Sequence, residues 1–174
     1  MIPAINPNPA LTVASLISDY TAYNEWANKR LIDWLSTKPA ALLELDVPSS
    51  FPGLKGTLVH IWDTQRFWLA ILMRVQPPVS FRQGFYGTLD DVIVGLVEQS
   101  GTFTRYVQSL TDDEMQEEVV LTTPWVNGIQ SRANFIMHCM NHSTYHRGQL
   151  ITIGHTLGLT DAPMTDYSFY RLIG

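Results

Sequence analysis

His138, His142 and His146 stand at i, i+4 and i+8 in a stretch of helical pattern, so one helix would carry them in a column. Residues four apart on a helix have Cβ atoms about 5–6 Å apart, close enough for two imidazoles to converge on one ion. Phe135, Cys139, Gln149, Leu150 and Ile153 flank the column, and that is the face a bundle would bury. Two imidazoles leave a divalent metal short of protein ligands. His60, the one histidine of an earlier helical stretch, can supply a third, with Thr64, Phe67 and Ile71 continuing its face. The set His60, His142 and His146 has the three-ligand, open-position character of catalytic metal sites. Spacing alone leaves choices open. His138 stands to His142 as His146 does, and Cys139 is a soft donor three residues before His142. A histidine on an apolar face is also more often a hydrogen-bonded core residue than a ligand.

Other chemistries are absent from the text. His142-Ser143-Thr144-Tyr145-His146 has no Glu after its first His, so it is not a zincin protease motif. No Glu-x-x-His pair occurs, which removes the carboxylate-bridged di-iron bundles. There is no phosphate-cradling Gly-rich motif and no Gly-x-Ser-x-Gly elbow. Asp112-Asp113-Glu114 with Glu117-Glu118 reads as solvated surface.

The elements that must position these histidines are helices. Asn8-Pro9 looks like a start, Asn as N-cap and Pro at the first helical position. A first helix then runs to about Ser36, with Leu16, Tyr20, Tyr23, Ala27, Leu31 and Trp34 on one side. After a Pro/Ser/Gly loop at 46–53, a second helix spans about Leu54 to Val75 and stops before Pro77-Pro78. Gly84 and Gly87 mark a further loop. Thr88 with Asp91 resembles a capping box for a third helix to about Leu110, which Gly95 and Gly101 weaken. Glu117 to Gln130 reads as a small hairpin with Asn127-Gly128 as its turn. Ser131 caps a fourth helix reaching Leu157, stopped by Gly158. Four such helices predict an all-α fold, a four-helix bundle with one β-hairpin excursion.

Length and composition fit that fold. The chain has 174 residues, 45% of them hydrophobic, enough for a core, and is expected to form a single domain over 1–174. Its net charge is −5 and its 11 basic residues form no run, so no nucleic-acid partner is expected. One cysteine allows no intrachain disulfide and fits a reducing compartment. The N-terminus lacks a signal-peptide pattern, and the longest apolar stretch, Trp68 to Met73, cannot span a bilayer. A soluble, cytoplasmic protein is the expectation.

Asn141-His142-Ser143-Thr144-Tyr145-His146-Arg147-Gly148-Gln149-Leu150 resembles the His-x-x-x-His-Arg-Gly-Gln signature of the DinB (DinB/YfiT-like) superfamily. Leu58-Val59-His60-Ile61-Trp62-Asp63 is similar to that family's second-helix segment, and Tyr23 to Leu31 to its first-helix pattern. Ala162 to Tyr167 is similar, less specifically, to its C-terminal ending. The resemblance implies a four-helix bundle with a long crossover. It implies metal ligands at His60, His142 and His146, with His138 beside them, and a divalent ion, zinc or nickel (Zn2+ or Ni2+). It further implies a homodimer and a small-molecule substrate. The activity implied first is that of a transferase activating a low-molecular-weight thiol. The alternatives are a hydrolase using metal-bound hydroxide, or a non-catalytic metal- or ligand-binding bundle. Around the ligands, Arg147 reads as a salt bridge, a helix-end charge or an anion holder, and Gln149 as a packing group or a hydrogen-bond support. Asp63 reads as a surface acid or a base, and Gly148 as a close-packing position.

Overall fold

The computed structural model describes residues 11–79, 81, 85, 87–124 and 126–174. The first long helix, α1 (Val13–Leu35), starts at Thr12, whose hydroxyl accepts from the Ser15 amide while Ser15 Oγ accepts from the Thr12 amide. The start expected at Asn8-Pro9 lies outside the described residues. The buried stripe contains Ile17, Tyr23, Ala27, Leu31 and Trp34, whereas Leu16 is 48% exposed; Ile17 takes the core position expected of Leu16.

A single turn, α2 (Ala40–Leu43), follows Pro39, and α3 (Gly53–Leu72) comes next. It ends at Met73 and left-handed Arg74 (φ 59°), a turn earlier than Pro77-Pro78 demands. Thr88 and Asp91 form the expected capping box of α4 (Leu89–Gln108). Gly95 serves packing here, since a Cβ would lie 2.2 Å from the Trp62 ring. The acidic run is not plain surface. Thr111 and Glu114 cap α5 (Asp112–Gln116), whose first turn carries the carboxylates where a helix favours them, and Met115 is buried.

Strands β1 (Glu118–Thr122) and β2 (Asn127–Ser131) pair antiparallel with Val120 opposite Ile129. Thr123 and Val126, whose backbones are hydrogen-bonded, close the hairpin, not Asn127-Gly128, which pair with Thr122 and Leu121 inside the ladder. Ser131 caps α6 (Arg132–Thr156), stopped at Gly158 (φ 82°), and α7 (Tyr167–Ile173) closes the chain.

Four long helices form the bundle. α1 packs on α4 and α6, α3 packs on α4 and α6, and the pairs α1/α3 and α4/α6 lie opposite. Two apolar clusters fill its halves, one around Leu72, Phe103, Val107, Ile136 and Met140, the other around Leu31, Leu58, Val92, Leu96 and Leu150. Along α1 and α6 the chain passes from the first cluster to the second; along α3 and α4 it passes the other way. Neighbours α3 and α4 are therefore parallel, with the end of α3 and the start of α4 at opposite ends of the bundle. The connection between those ends is the long crossover.

Between the clusters every long helix contributes buried polar groups: Asn24 and Asn28, Thr64 and Gln65, Ser100 and Thr104, Ser143, His146 and Arg147. Asn28 Nδ2 donates to Ser100 Oγ (3.0 Å), and that hydroxyl donates to Gln65 Oε1 (3.2 Å). Arg147 donates to Asn24 Oδ1, Asn28 Oδ1 (3.0 Å) and Thr144 Oγ1 (2.8 Å), and lies over the Tyr23 ring. One hydrogen-bonded layer thus ties all four helices, and the histidines sit at its rim between α3 and α6.

Candidate metal centre

His60 projects from α3, and His142 and His146 from α6, across an antiparallel helix pair. One ring nitrogen from each lies within 4.8 Å of the other two. His60 Nε2 is 2.9 Å from His142 Nε2, and His146 Nε2 is 3.0 Å from it. His146 is buried; His60 and His142 are half-buried.

The tautomer of His146 is legible. Its Nδ1 lies 2.7 Å from Gln149 Oε1, which only accepts, so Nδ1 carries the proton and Nε2 keeps its lone pair toward the other imidazoles. The Gln149 amide donates in turn to Ser50 Oγ (2.9 Å) and Tyr145 Oη (3.2 Å). Ser50 precedes Phe51, whose ring stacks on His60 with centroids 3.7 Å apart and meets His146 edge-on at 5.5 Å. Gly53 folds this loop: at φ +62° a Cβ would stand 2.0 Å from Leu45 O.

Burial, then the neighbouring imidazoles, depress the basicity of the group. His60 is lowered to about 3 by burial, His146 and His142, and His142 to about 4 by burial, His146 and His138. His146 is lowered by burial, partly offset by its bond to Gln149. Three neutral imidazoles at neutral pH are what a cation requires. A tetrahedral ion with metal–nitrogen bonds near 2.0–2.1 Å sets its ligand nitrogens about 3.3 Å apart, and the two separations from His142 Nε2, 2.9 and 3.0 Å, fall a few tenths of an ångström short of that. The donors fit a divalent ion.

The residues that spacing left open fall outside the cluster. His138 is exposed, edge-on to Trp68 (4.9 Å) and stacked 5.9 Å from His142. Cys139 is fully buried as a free thiol and burial pushes its pKa up, so it behaves as core. Asp63 accepts from Arg66 (3.1 Å); burial raises its carboxyl more than Arg66 lowers it. Asp63, His60, Phe51, Val59 and Phe85 line a cleft of about 390 Å3. Arg147 has no ion-pair partner among the described residues, and a Cβ at Gly148 would meet nothing within 4 Å; of the two glycines of α6, Gly154 is the close-packed one, against Trp34. Sequence reasoning missed Ser50, Phe51 and Tyr145. Residues 46–53 look like any Pro/Ser/Gly loop, and no signal there says that it folds onto a histidine.

Comparison with known proteins follows the same lines. The DinB family model matches residues 11–172. Protein DinB of Bacillus subtilis (strain 168) is 24% identical over 160 residues, covering 85% of this chain and 89% of that protein. The structure of YfiT from Bacillus subtilis, described as "a probable metal-dependent hydrolase with an unusual four-helix bundle topology", superposes with a TM-score of 0.65. It is 13% identical, with 91% of this chain and 97% of that one covered.

Proposed function

The chain belongs to the DinB family, and on that premise we propose that it is a metal-dependent enzyme whose ion is held by His60, His142 and His146. The observation that carries the reading is the convergence of three neutral imidazole nitrogens, with no carboxylate or thiolate among them, from two helices that share a hydrogen-bonded layer. Imidazole donors suit zinc or nickel. A divalent ion there supplies Lewis acidity, making a coordinated S–H or O–H acidic.

The residues of this chain set what that acidity acts on. A trio without negative charge favours an incoming anionic donor. A thiol, ordinarily near pKa ~8.5, needs far less help to ionise than water at ~15.7. Transfer of a low-molecular-weight thiol to a small electrophile is therefore the first reading. Phe51 covers one face of His60 and excludes water from it. Of the carboxyls that line the cleft, Glu44 and Asp46 are exposed, and Asp63, half-buried and raised in pKa by burial, is the one best suited to accept a proton there. Hydrolysis is the second reading, favoured by the likeness to YfiT. A homodimer and a reducing, cytoplasmic setting complete the proposal; the free, buried Cys139 fits the latter.

The test is metal analysis of untagged protein, followed by loaded protein offered cysteine, glutathione or bacillithiol with electrophiles, and esters and amides without thiol. Thiol-dependent turnover supports the first reading and thiol-independent hydrolysis the second. Bound metal with no turnover of either class moves the assignment to a ligand-binding bundle.

A further inference from the structure

We propose that Gln149 is a positioning residue with two tasks: it fixes which nitrogen of His146 faces the other imidazoles, and it latches the loop whose Phe51 ring packs on His60. The purpose of this device rests on the metal reading above. Its geometry is independent of it. Gln149 Oε1, 2.7 Å from His146 Nδ1, holds the proton on that nitrogen and leaves Nε2 as the donor atom. Both amide hydrogens are then used, one on Ser50 Oγ and one on Tyr145 Oη. Ser50 carries Phe51 with it, and Phe51 lies 3.7 Å from the His60 ring centroid at an interplanar angle of 17°. One side chain of α6 thus sets a histidine of its own helix directly and presses on the histidine of α3 through a loop.

Shape alone cannot do this. The side chain of Gln149→Leu fills similar space but neither accepts nor donates. The carboxylate of Gln149→Glu accepts from His146 Nδ1 and can accept from the Ser50 hydroxyl once that hydroxyl rotates to donate. Ser50→Ala separates the two tasks, because it cuts the latch and leaves the bond to His146.

Histidine-ring two-bond 1H–15N spectra of the metal-free protein at pH 7.5, with zinc affinity from chelator competition, test the proposal. Wild type, Ser50→Ala and Gln149→Glu should show His146 protonated at Nδ1, and Gln149→Leu should move toward the Nε2–H form common in free imidazole. Zinc affinity should fall about 10–100-fold in Gln149→Leu and be restored in Gln149→Glu. In Ser50→Ala the His60 ring protons should shift as the Phe51 ring current weakens. An unchanged His146 tautomer in Gln149→Leu, or unchanged His60 shifts in Ser50→Ala, overturns the proposal. These spectra need no metal, so failure of the wild type to bind either zinc or nickel would defeat the proposed function while the spectra still decide the role of Gln149.

Discussion

Proton competition at the histidine trio separates a buried, mutually packed site from three imidazoles in water. Each histidine that must lose a proton before binding divides the apparent affinity by one plus the ratio of proton concentration to its acid constant. Three ordinary histidines near pKa 6.5 would lose about 10^4-fold in affinity between pH 7.5 and 5. The structure demands much less. With His60 lowered to about 3 and His142 to about 4, neither holds an appreciable proton at pH 5, and only His146 remains, itself below 6.5. The loss should then be at most about thirtyfold over that range, steepening only in stronger acid. The assay is zinc affinity by competition with a chelating chromophore of known proton affinity, with circular dichroism at each pH showing the helices intact. A fall beyond about a thousandfold with the fold unchanged would mean that the imidazoles titrate as if exposed, and the packing of Phe51, His60 and His146 would be refuted.

The same depressed histidines give the metal-free protein a stability that is full above pH ~6.5 and declines as acid carries the pH toward 4, since the unfolded chain takes protons first; denaturant melts across that window read it. His60→Ala and His142→Ala should each abolish stoichiometric metal in elemental analysis, whereas His138→Ala, outside the cluster, should cost at most about 10–100-fold in affinity. Normal metal content in His60→Ala would remove α3 from the site. The fold should survive a chelator, because two apolar clusters hold the bundle; wholesale loss of the helical dichroism would make the metal structural. Gly53→Ala forces a Cβ against Leu45 O at positive φ and should cost about 1–3 kcal/mol in urea unfolding, with His60 ring-proton shifts that report a displaced Phe51.

Long-period signals were the legible ones. The four long helices, the Thr88–Asp91 and Ser131 caps and the Gly158 stop follow from residues that act within a few positions of themselves. What was misread depends on partners distant in sequence or on closely matched local options. The hairpin turn closes at Thr123–Val126 because the Thr123 hydroxyl both donates to Val126 O (2.7 Å) and accepts from its amide (2.9 Å). That frees Asn127-Gly128 to join the ladder. The turns α2 and α5 are too short to show a period. Arg147 reads from sequence as a salt bridge, a helix-end charge or an anion holder, because a guanidinium usually meets an anion. Its acceptors are instead neutral, the Asn24 and Asn28 amides and the Thr144 hydroxyl, and Asn24 and Asn28, four apart on the buried side of α1, were the unread sign of them.

The choice among histidines shows where periodicity stops and register begins. A column at i, i+4 and i+8 fixes a face but says nothing of height along the bundle. In an antiparallel pair, positions rise on one helix as they fall on the other. Trp68 of α3 stacks on Phe135 of α6 at 5.2 Å. Moving eight residues back along α3 reaches His60, and eight forward along α6 reaches Ser143, which lies between His142 and His146. His138 comes level with Gln65 by the same count and touches Trp68 instead, at the edge of the first apolar cluster. One inter-helix contact therefore decides which two imidazoles meet the third. The buried polar layer makes the same decision energetically. His60 and the pair His142/His146 both lie beside Thr64, Gln65, Ser143 and Arg147, the level at which all four helices already accept polar side chains. Three imidazoles can be held together there without interrupting either apolar half.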